Sequence, residues 1–301
     1  NSFCTLLGRP TEGRMADWEA QYEKDLATIT HSGPHEVGAE QQALNRQVFE
    51  MLKPTEILPF DDIHKISDCD LIYRFLIAQR WDADKTAAEL IEYMRWRKEN
   101  NMNDILWEKH PDEIVEVLPF YQGIDNDGNP IFYDRPSPAK IGELLKTYDR
   151  AQIIRGHFVM MEQGRRLCKA MNRDRVTCLF DMAMLNMSIV TNPSAVGLLK
   201  ECSKLDQKYY PENMRTMMIT NSGWTFGSLI TCIKPLLDVR VQKKIQKLGT
   251  GANLHKDMAQ FADPQQVPEC FGGLAPRTPS EVAIKVLDVS GLPPRTPPQP
   301  V

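Results

Sequence analysis

The sequence predicts an α/β protein, a helical N-terminal part followed by a domain on a largely parallel sheet. Two observations carry the prediction. Between residues 67 and 100 two amphipathic helical stretches follow one another through a short turn, and beyond Pro111 strand-like runs alternate with helical ones, the pattern of βαβ units. At 301 residues with 42% hydrophobic side chains, the chain can bury a substantial core. Its formal charge of −4 and pI near 5.9 argue against a nucleic-acid partner, whose binder carries a basic surplus.

Taken in order, the first residue is Asn1, and Met15 reads as the natural start, with the residues before it carrying no fold. ADWEAQYEKDLATI has helical composition, but Gly33, Pro34 and Gly38 break it, so residues 1–39 read as a loosely attached, flexible leader. Residues 40–110 read as a helical subdomain. Ala43, Gln47, Phe49 and Leu52 are compatible with a helix stopped by Pro54 and Pro59. Asp68 is placed to cap a helix carrying Leu71, Ile72, Phe75 and Leu76, and a second helix starts after Asp82 with Ala83, Ala87, Leu90, Ile91 and Met94 as its stripe. Neither stripe can stay exposed, so the two pack as a hairpin.

Residues 111–275 read as the α/β domain. In GIDNDGNPIFYDR, Asn126, Asp127 and Gly128 make a turn that feeds a strand at Ile131 to Tyr133. A helical run follows from Asp149 to Met171, then the strand RVTCLFDM, a helix from Pro193 to Tyr209, the strand RTMMIT and the short candidate strand KIQKLG. Residues 276–301 contain PRTP twice and read as a disordered Pro-rich tail, with EVAIKVLDV able to add one edge strand. Its PxxP spacing can serve an SH3-type partner.

Between the last two strands lies a largely apolar segment. Phe226, Leu229, Ile230, Ile233 and Leu237 fall on one helical face, widened by Trp224 and Leu236. At about fourteen residues it is short of the roughly twenty that a bilayer span needs. It is either a buried helix or a cover for something apolar.

RFLIAQRWDADKTAAELIEYMRWRKE, and then DNDGNPIFYDR, YYPENM, IKPLLD, QKKIQKLG and VPECFGG in order, resemble the CRAL-TRIO lipid-binding family over residues 60 to 273. The resemblance implies a sheet that floors an apolar lipid pocket, covered by a gate helix at Trp224, Phe226, Leu229, Ile230, Ile233 and Leu237. Gly223 and Gly227 are candidate hinges, because glycine absorbs backbone rotation at low steric cost. In phosphoinositide-binding relatives a lysine and a glutamate hold the headgroup; here Lys244 and Glu212 match them, with Arg80 as a further basic position. Ammonium beside phosphate and carboxylate beside inositol hydroxyls make chemical sense. The pattern departs from the family at Val241, where a threonine is expected, and at Gln79, where a basic residue is expected. Val176 and Cys178 replace the hydroxyl side chains of choline-lipid binders.

Arg240, Lys243, Lys244 and Lys247 would share a helical face, but the resemblance starts a strand near Ile245. No GxSxG, P-loop, HExxH or phosphatase-like cysteine loop is present, so the sequence supports no enzyme and no cofactor. Seven cysteines form no zinc spacing and fit free thiols in a reducing compartment; only His31 and His35 stand at metal-ligand spacing, in the leader. The expectation is a cytoplasmic, transiently membrane-associated protein that transfers or presents one lipid, a phosphoinositide in preference to phosphatidylcholine, with phosphatidylinositol or another hydrophobic molecule as its ligand. The alternatives are a lipid-gated regulatory scaffold, or a carrier of a tocopherol-, retinoid- or sterol-like ligand.

Overall fold

The computed structural model describes residues 12–29, 31–32, 35–55, 57–58, 60, 67–117, 119–184, 192–222, 234, 237–249 and 252–276. The chain divides into two compact units, residues 1–100 and 101–301.

The first unit is helical: α1 (Glu12–Thr28), α2 (Ala39–Leu52), α3 (Asp68–Ala78) and α4 (Ala83–Glu99). A two-residue antiparallel ladder, β1 (His31–Ser32) with β2 (His35–Glu36), joins α1 to α2. Residues 12–28 are not the loose leader expected of them. Trp18, Tyr22 and Leu26 recur every four residues along α1, which puts them on one face. Tyr22 and Leu26 are buried, and the Tyr22 ring stacks on Phe49 at 3.6 Å between centroids. The Tyr22 hydroxyl donates to Asn45 Oδ1 at 2.7 Å, and Trp18 Nε1 donates to Asp68 Oδ2 at 2.6 Å. This stripe ties α1 down despite the glycines and proline after it.

Ser67, not Asp68, caps α3: its Oγ accepts from Asp70 N at 3.1 Å. The Asp68 carboxylate instead receives Trp18 and, at 3.2 Å, the Phe60 amide. Asp82 caps α4 as expected, accepting from Lys85 N at 3.0 Å. The α3 and α4 stripes meet, with Phe75 and Tyr93 rings 5.2 Å apart. Arg80 and Trp81 both take positive φ (57° and 66°), and Trp81 N donates back to Leu76 O at 2.7 Å, a left-handed closure of the helix end.

The second unit is built on five strands: β3 (Phe120–Ile124), β4 (Pro130–Asp134), β5 (Val176–Asp181), β6 (Met214–Thr220) and β7 (Ile245–Lys247). They lie in sequence order, with β3–β4 an antiparallel hairpin and the other pairs parallel. Around them run α5 (Asp112–Val117), α6 (Pro138–Thr147), α7 (Arg150–Ala170), α8 (Pro193–Tyr209), α9 (Val239–Lys243) and α10 (Ala252–Met258). Asp149 and Gln152 form a capping box at the start of α7. Asn192 caps α8, with Pro193 at the first helical position.

The hairpin turn is organised by buried Asp125. Its carboxylate accepts from the amides of Asp127 (3.0 Å) and Asn129 (2.8 Å), from Thr177 Oγ1 (2.6 Å) and from Arg215 (2.8 Å). A carboxylate taken out of water needs this many donors, and they lock the hairpin to β5 and β6.

Alternation gives the sheet two faces. Ile131, Tyr133, Leu179 and Met218 point to one, where Leu254, Met258, Val267 and Phe271 complete a core. Phe132, Val176 and Cys178 point to the other, against Met160, Leu167 and Cys168 of α7. On that second face Phe180, Met214 and Met217 stay only partly buried.

α9 ends at Lys243 and β7 begins at Ile245, so the helical stripe of Arg240, Lys243, Lys244 and Lys247 does not form. Pairing of Ile245 with Met217 on β6 is what stops the helix. α10 is a helix that the pattern of apolar runs does not predict. Gly223, Trp224, Phe226, Gly227, Leu229, Ile230 and Ile233 lie outside the described residues, as do Leu236 and residues 277–301; Leu237 is described and half-buried.

Candidate functional site

The site is assembled at the start of the two last parallel strands. Between α8 and β6 the chain makes a tight turn through Tyr210, Pro211, Glu212 and Asn213. Tyr210 pins it from one side, its hydroxyl donating to fully buried Glu162 at 2.9 Å. Asn213 pins it from the other, its carbonyl accepting from Val176 N of β5 at 2.9 Å. Glu212 between them has φ +55°, a conformation a non-glycine residue adopts at a cost of about 1 kcal/mol or more. Such strain places the carboxylate in one direction.

It points at Lys244. The ammonium donates to Glu212 Oε2 at 2.9 Å and to Met214 O at 2.8 Å, while the Lys244 carbonyl accepts from Met217 N (2.9 Å) and Thr216 Oγ1 (3.0 Å). Lys244 is thus fixed at both ends. Arg240, one helical turn earlier, brings NH1 to 3.5 Å from the other Glu212 oxygen. Asp238 holds that guanidinium through Nε at 2.9 Å and caps α9 through the Arg240 amide at 2.8 Å. Side-chain exposure falls from 32% at Arg240 to 15% at Lys244 and 7% at Glu212. Two cations flank one carboxylate at the rim of a partly uncovered apolar sheet face. An anion can dock on the cations, and the carboxylate can accept from hydroxyl groups beside it.

The structure therefore brings Glu212 and Lys244 together. Arg80 belongs to the helical unit, exposed in the turn between α3 and α4. Gln79 closes α3, its amide bonded to the carbonyls of Ile77 and Phe75, and Val241 is half-buried in α9. Arg240 was legible only as part of a basic stripe; its i to i+4 spacing from Lys244 is the signal that it reaches the same carboxylate.

Residues 116–273 match the CRAL/TRIO domain model. The chain belongs to the CRAL/TRIO domain family. It is 30% identical over 256 residues to the phosphatidylinositol/phosphatidylcholine transfer protein SFH14 of Arabidopsis thaliana, covering 80% of this chain and 43% of that protein. It is 24% identical over 290 residues to the SEC14 cytosolic factor of Eremothecium gossypii, covering 93% of this chain and 91% of that one. The chain spans about two fifths of the length of the first plant relatives it matches. The crystal structure of Sfh5 superposes with a TM-score of 0.56 at 18% identity, over 91% of this chain and 97% of that one, a likeness of fold.

Proposed function

We propose that the chain binds one lipid against the α7-facing side of the sheet, under the segment Trp224–Leu237, and carries it between membranes or presents it there. The observation that carries this reading is the Glu212–Lys244–Arg240 cluster at the edge of an apolar face whose Phe180, Met214 and Met217 remain partly uncovered. The relatives named as phosphatidylinositol/phosphatidylcholine transfer proteins support it. A phospholipid with some thirty methylenes costs on the order of 20 kcal/mol to bring into water, so a protein that shields the chains removes the main barrier to transfer. Lys244 and Arg240 take the phosphate, and Glu212 accepts from inositol hydroxyls. The residues bind and shield; no bond is made or broken. Gly223 and Gly227 serve as hinges of the cover, which opens where a bilayer receives its apolar face. The carrier works in the cytoplasm with transient membrane contact, and the Pro-rich tail recruits an SH3-type partner.

A second reading is favoured by Val241 and Cys178, which offer no hydroxyl to a phospholipid headgroup: the same face holds a tocopherol-, retinoid- or sterol-like molecule. Mass spectrometry of lipids retained by the purified protein separates the two. Phosphatidylinositol, lost on Lys244→Ala, supports the first; retention of only sterol- or prenol-like molecules supports the second; retention of no lipid contradicts both.

A further inference from the structure

One stretch of the second unit is charged against the rest of the chain. Between Lys200 and Lys247 nine lysines and arginines stand against four acids, a surplus of five in a chain whose formal charge is −4. The structure pairs all four acids. On α8, Glu201 Oε2 lies 3.3 Å from Arg150 NH1 and Asp206 Oδ1 lies 2.7 Å from His157 Nε2, both cations belonging to α7. Glu212 takes Lys244 and Asp238 takes Arg240, each at 2.9 Å. Every carboxylate of the stretch is thus matched by a cation, and the surplus falls on the lysines that remain.

Those lysines lie together. A spacing of four puts Lys200, Lys204 and Lys208 on one stripe of α8, a line about 12 Å long. Lys200 and Lys204 are exposed, and Lys208 is half-buried with its ammonium 5.3 Å over the Tyr209 ring. The last turn of α8 then meets α9, where Gln207 Oε1 accepts from the Asp238 amide at 3.1 Å. Gln242 of α9 donates through Nε2 to Lys234 O at 3.0 Å, so the exposed Lys234 and Lys243 border the same junction. Among the described residues Lys200, Lys204, Lys234 and Lys243 pair with no carboxylate. Val239 opens α9 beside them with 61% of its surface exposed, more than any other large apolar residue described.

Ammonium groups gathered without counter-charges repel one another, and water and salt screen that repulsion only in part. An extended anionic surface relieves it, and each lysine brought near an anionic bilayer strengthens binding by about fivefold. Nucleic acid, an acidic polypeptide and a bilayer with anionic lipids all present such a surface. Val239 decides among them. An exposed apolar side chain gains nothing against a polyanion in water, whereas at a bilayer it enters the interface while the lysine stems lie along it and their ammonium groups reach the phosphates. Lys244 follows α9 directly, so a bilayer held at this patch lies next to the Glu212–Lys244 cluster.

We propose that the outer face of α8 and the adjoining α9, with Lys200, Lys204, Lys208, Lys234, Lys243 and Val239, is the surface by which the protein docks on an anionic bilayer. The assignment rests for its purpose on the reading of the chain as a lipid carrier. It deepens that reading by naming the face that meets the membrane and the lipid charge which that face requires.

Flotation of the full chain with vesicles tests the assignment. Vesicles of phosphatidylcholine alone are compared with vesicles in which about one third of the lipid is phosphatidylserine or phosphatidylglycerol, and either anionic lipid is expected to raise affinity at least about tenfold. Raising salt from about 0.1 M to about 1 M, which shortens the screening length from about 10 Å to about 3 Å, should abolish that gain. The Lys204→Glu/Lys208→Glu variant is expected to lose at least about tenfold in affinity for the anionic vesicles while mass spectrometry finds the same retained lipid. Arg95→Glu/Lys98→Glu on α4 should leave vesicle binding unchanged. Equal binding to neutral and anionic vesicles, binding to neither, or a folded Lys204→Glu/Lys208→Glu variant that binds as the unmodified chain does would overturn the assignment. Polyglutamate that strips the protein from the vesicles at equal charge concentration also overturns it, making an acidic polypeptide the partner. If the charge-reversed variant does not fold, the comparison of vesicles and salt on the unmodified chain decides. A chain that docks on anionic vesicles but retains no lipid keeps this surface and loses the carrier reading; one that retains lipid without any preference for anionic vesicles does the reverse.

Discussion

Lys244 Nζ lies 2.9 Å from Glu212 Oε2, joining the first residue before β7 to the strained turn that leads into β6. Both side chains are mostly covered, so removing one partner leaves the other with its desolvation uncompensated. Glu212→Ala is expected to lower stability by about 2 kcal/mol, with Glu212→Gln milder. In a double-mutant cycle with Lys244→Met the coupling should reach about 1 kcal/mol or more in urea denaturation. Strict additivity would show that the pair does not form.

Asp125 is the most connected carboxylate of the hairpin turn, and its loss should be felt throughout the sheet. Asp125→Ala leaves Thr177, two amides and the Asn129 side chain without their acceptor, takes away one of Arg215's two carboxylate partners, the other being Asp127, and is expected to cost about 3–5 kcal/mol. Thr177→Val removes one of those bonds and should cost about 1 kcal/mol. Thermal melts of the two variants check the ranking.

Gly164 on α7 is there for contact with the sheet. A Cβ at this position would sit 2.2 Å from the Tyr121 hydroxyl oxygen and 2.9 Å from its Cζ, while that hydroxyl donates to Met160 O at 3.1 Å. Alanine favours a helix by about 1 kcal/mol over glycine, yet Gly164→Ala is expected to be destabilising by about 1–3 kcal/mol, as overpacked substitutions are. Tyr121→Phe in the same chain removes the atom in closest conflict and should recover part of the loss in calorimetry.

Asp134 gives a pH signature. Its carboxyl titrates near 7 in the folded chain because burial disfavours the charge, against an ordinary value of 3.8. The folded state therefore holds a proton that the unfolded state has released between those values, and this contribution to stability falls as pH rises from about 4 to 7. Asp134→Asn should flatten the stability–pH curve relative to the unmodified chain across that window, by at most about 1.4 kcal/mol per pH unit. His157, lowered by burial but raised more by Asp206 and Asp134, adds a fall of the same sign above its ordinary 6.5. Parallel curves for the two proteins would place Asp134 in solvent.

The alternation of apolar runs was enough to place α3, α4, α7, α8 and strands β4 to β7, because burial on one face leaves its period in the sequence. Glu212 and Lys244 were legible through their motifs. What the sequence hid has physical causes. The attachment of α1 depends on three side chains spaced by four in a weakly apolar helix, and the local Gly-Pro break masks it. Arg240 joins the site through Glu212, which the turn before β6 brings to it from 28 residues away, a tertiary contact. The His157–Asp206 hydrogen bond joins residues 49 apart in the chain and leaves no local trace.

The headgroup role proposed for Lys244 and Glu212 has one direct test. The direct measurement is transfer of labelled phosphatidylinositol from donor to acceptor vesicles by the unmodified chain and by Lys244→Ala, with labelled phosphatidylcholine as the comparison. Protein-dependent phosphatidylinositol transfer that drops at least tenfold in the folded variant is the predicted result. No transfer by the unmodified chain, or transfer that Lys244→Ala leaves unchanged, would contradict the account.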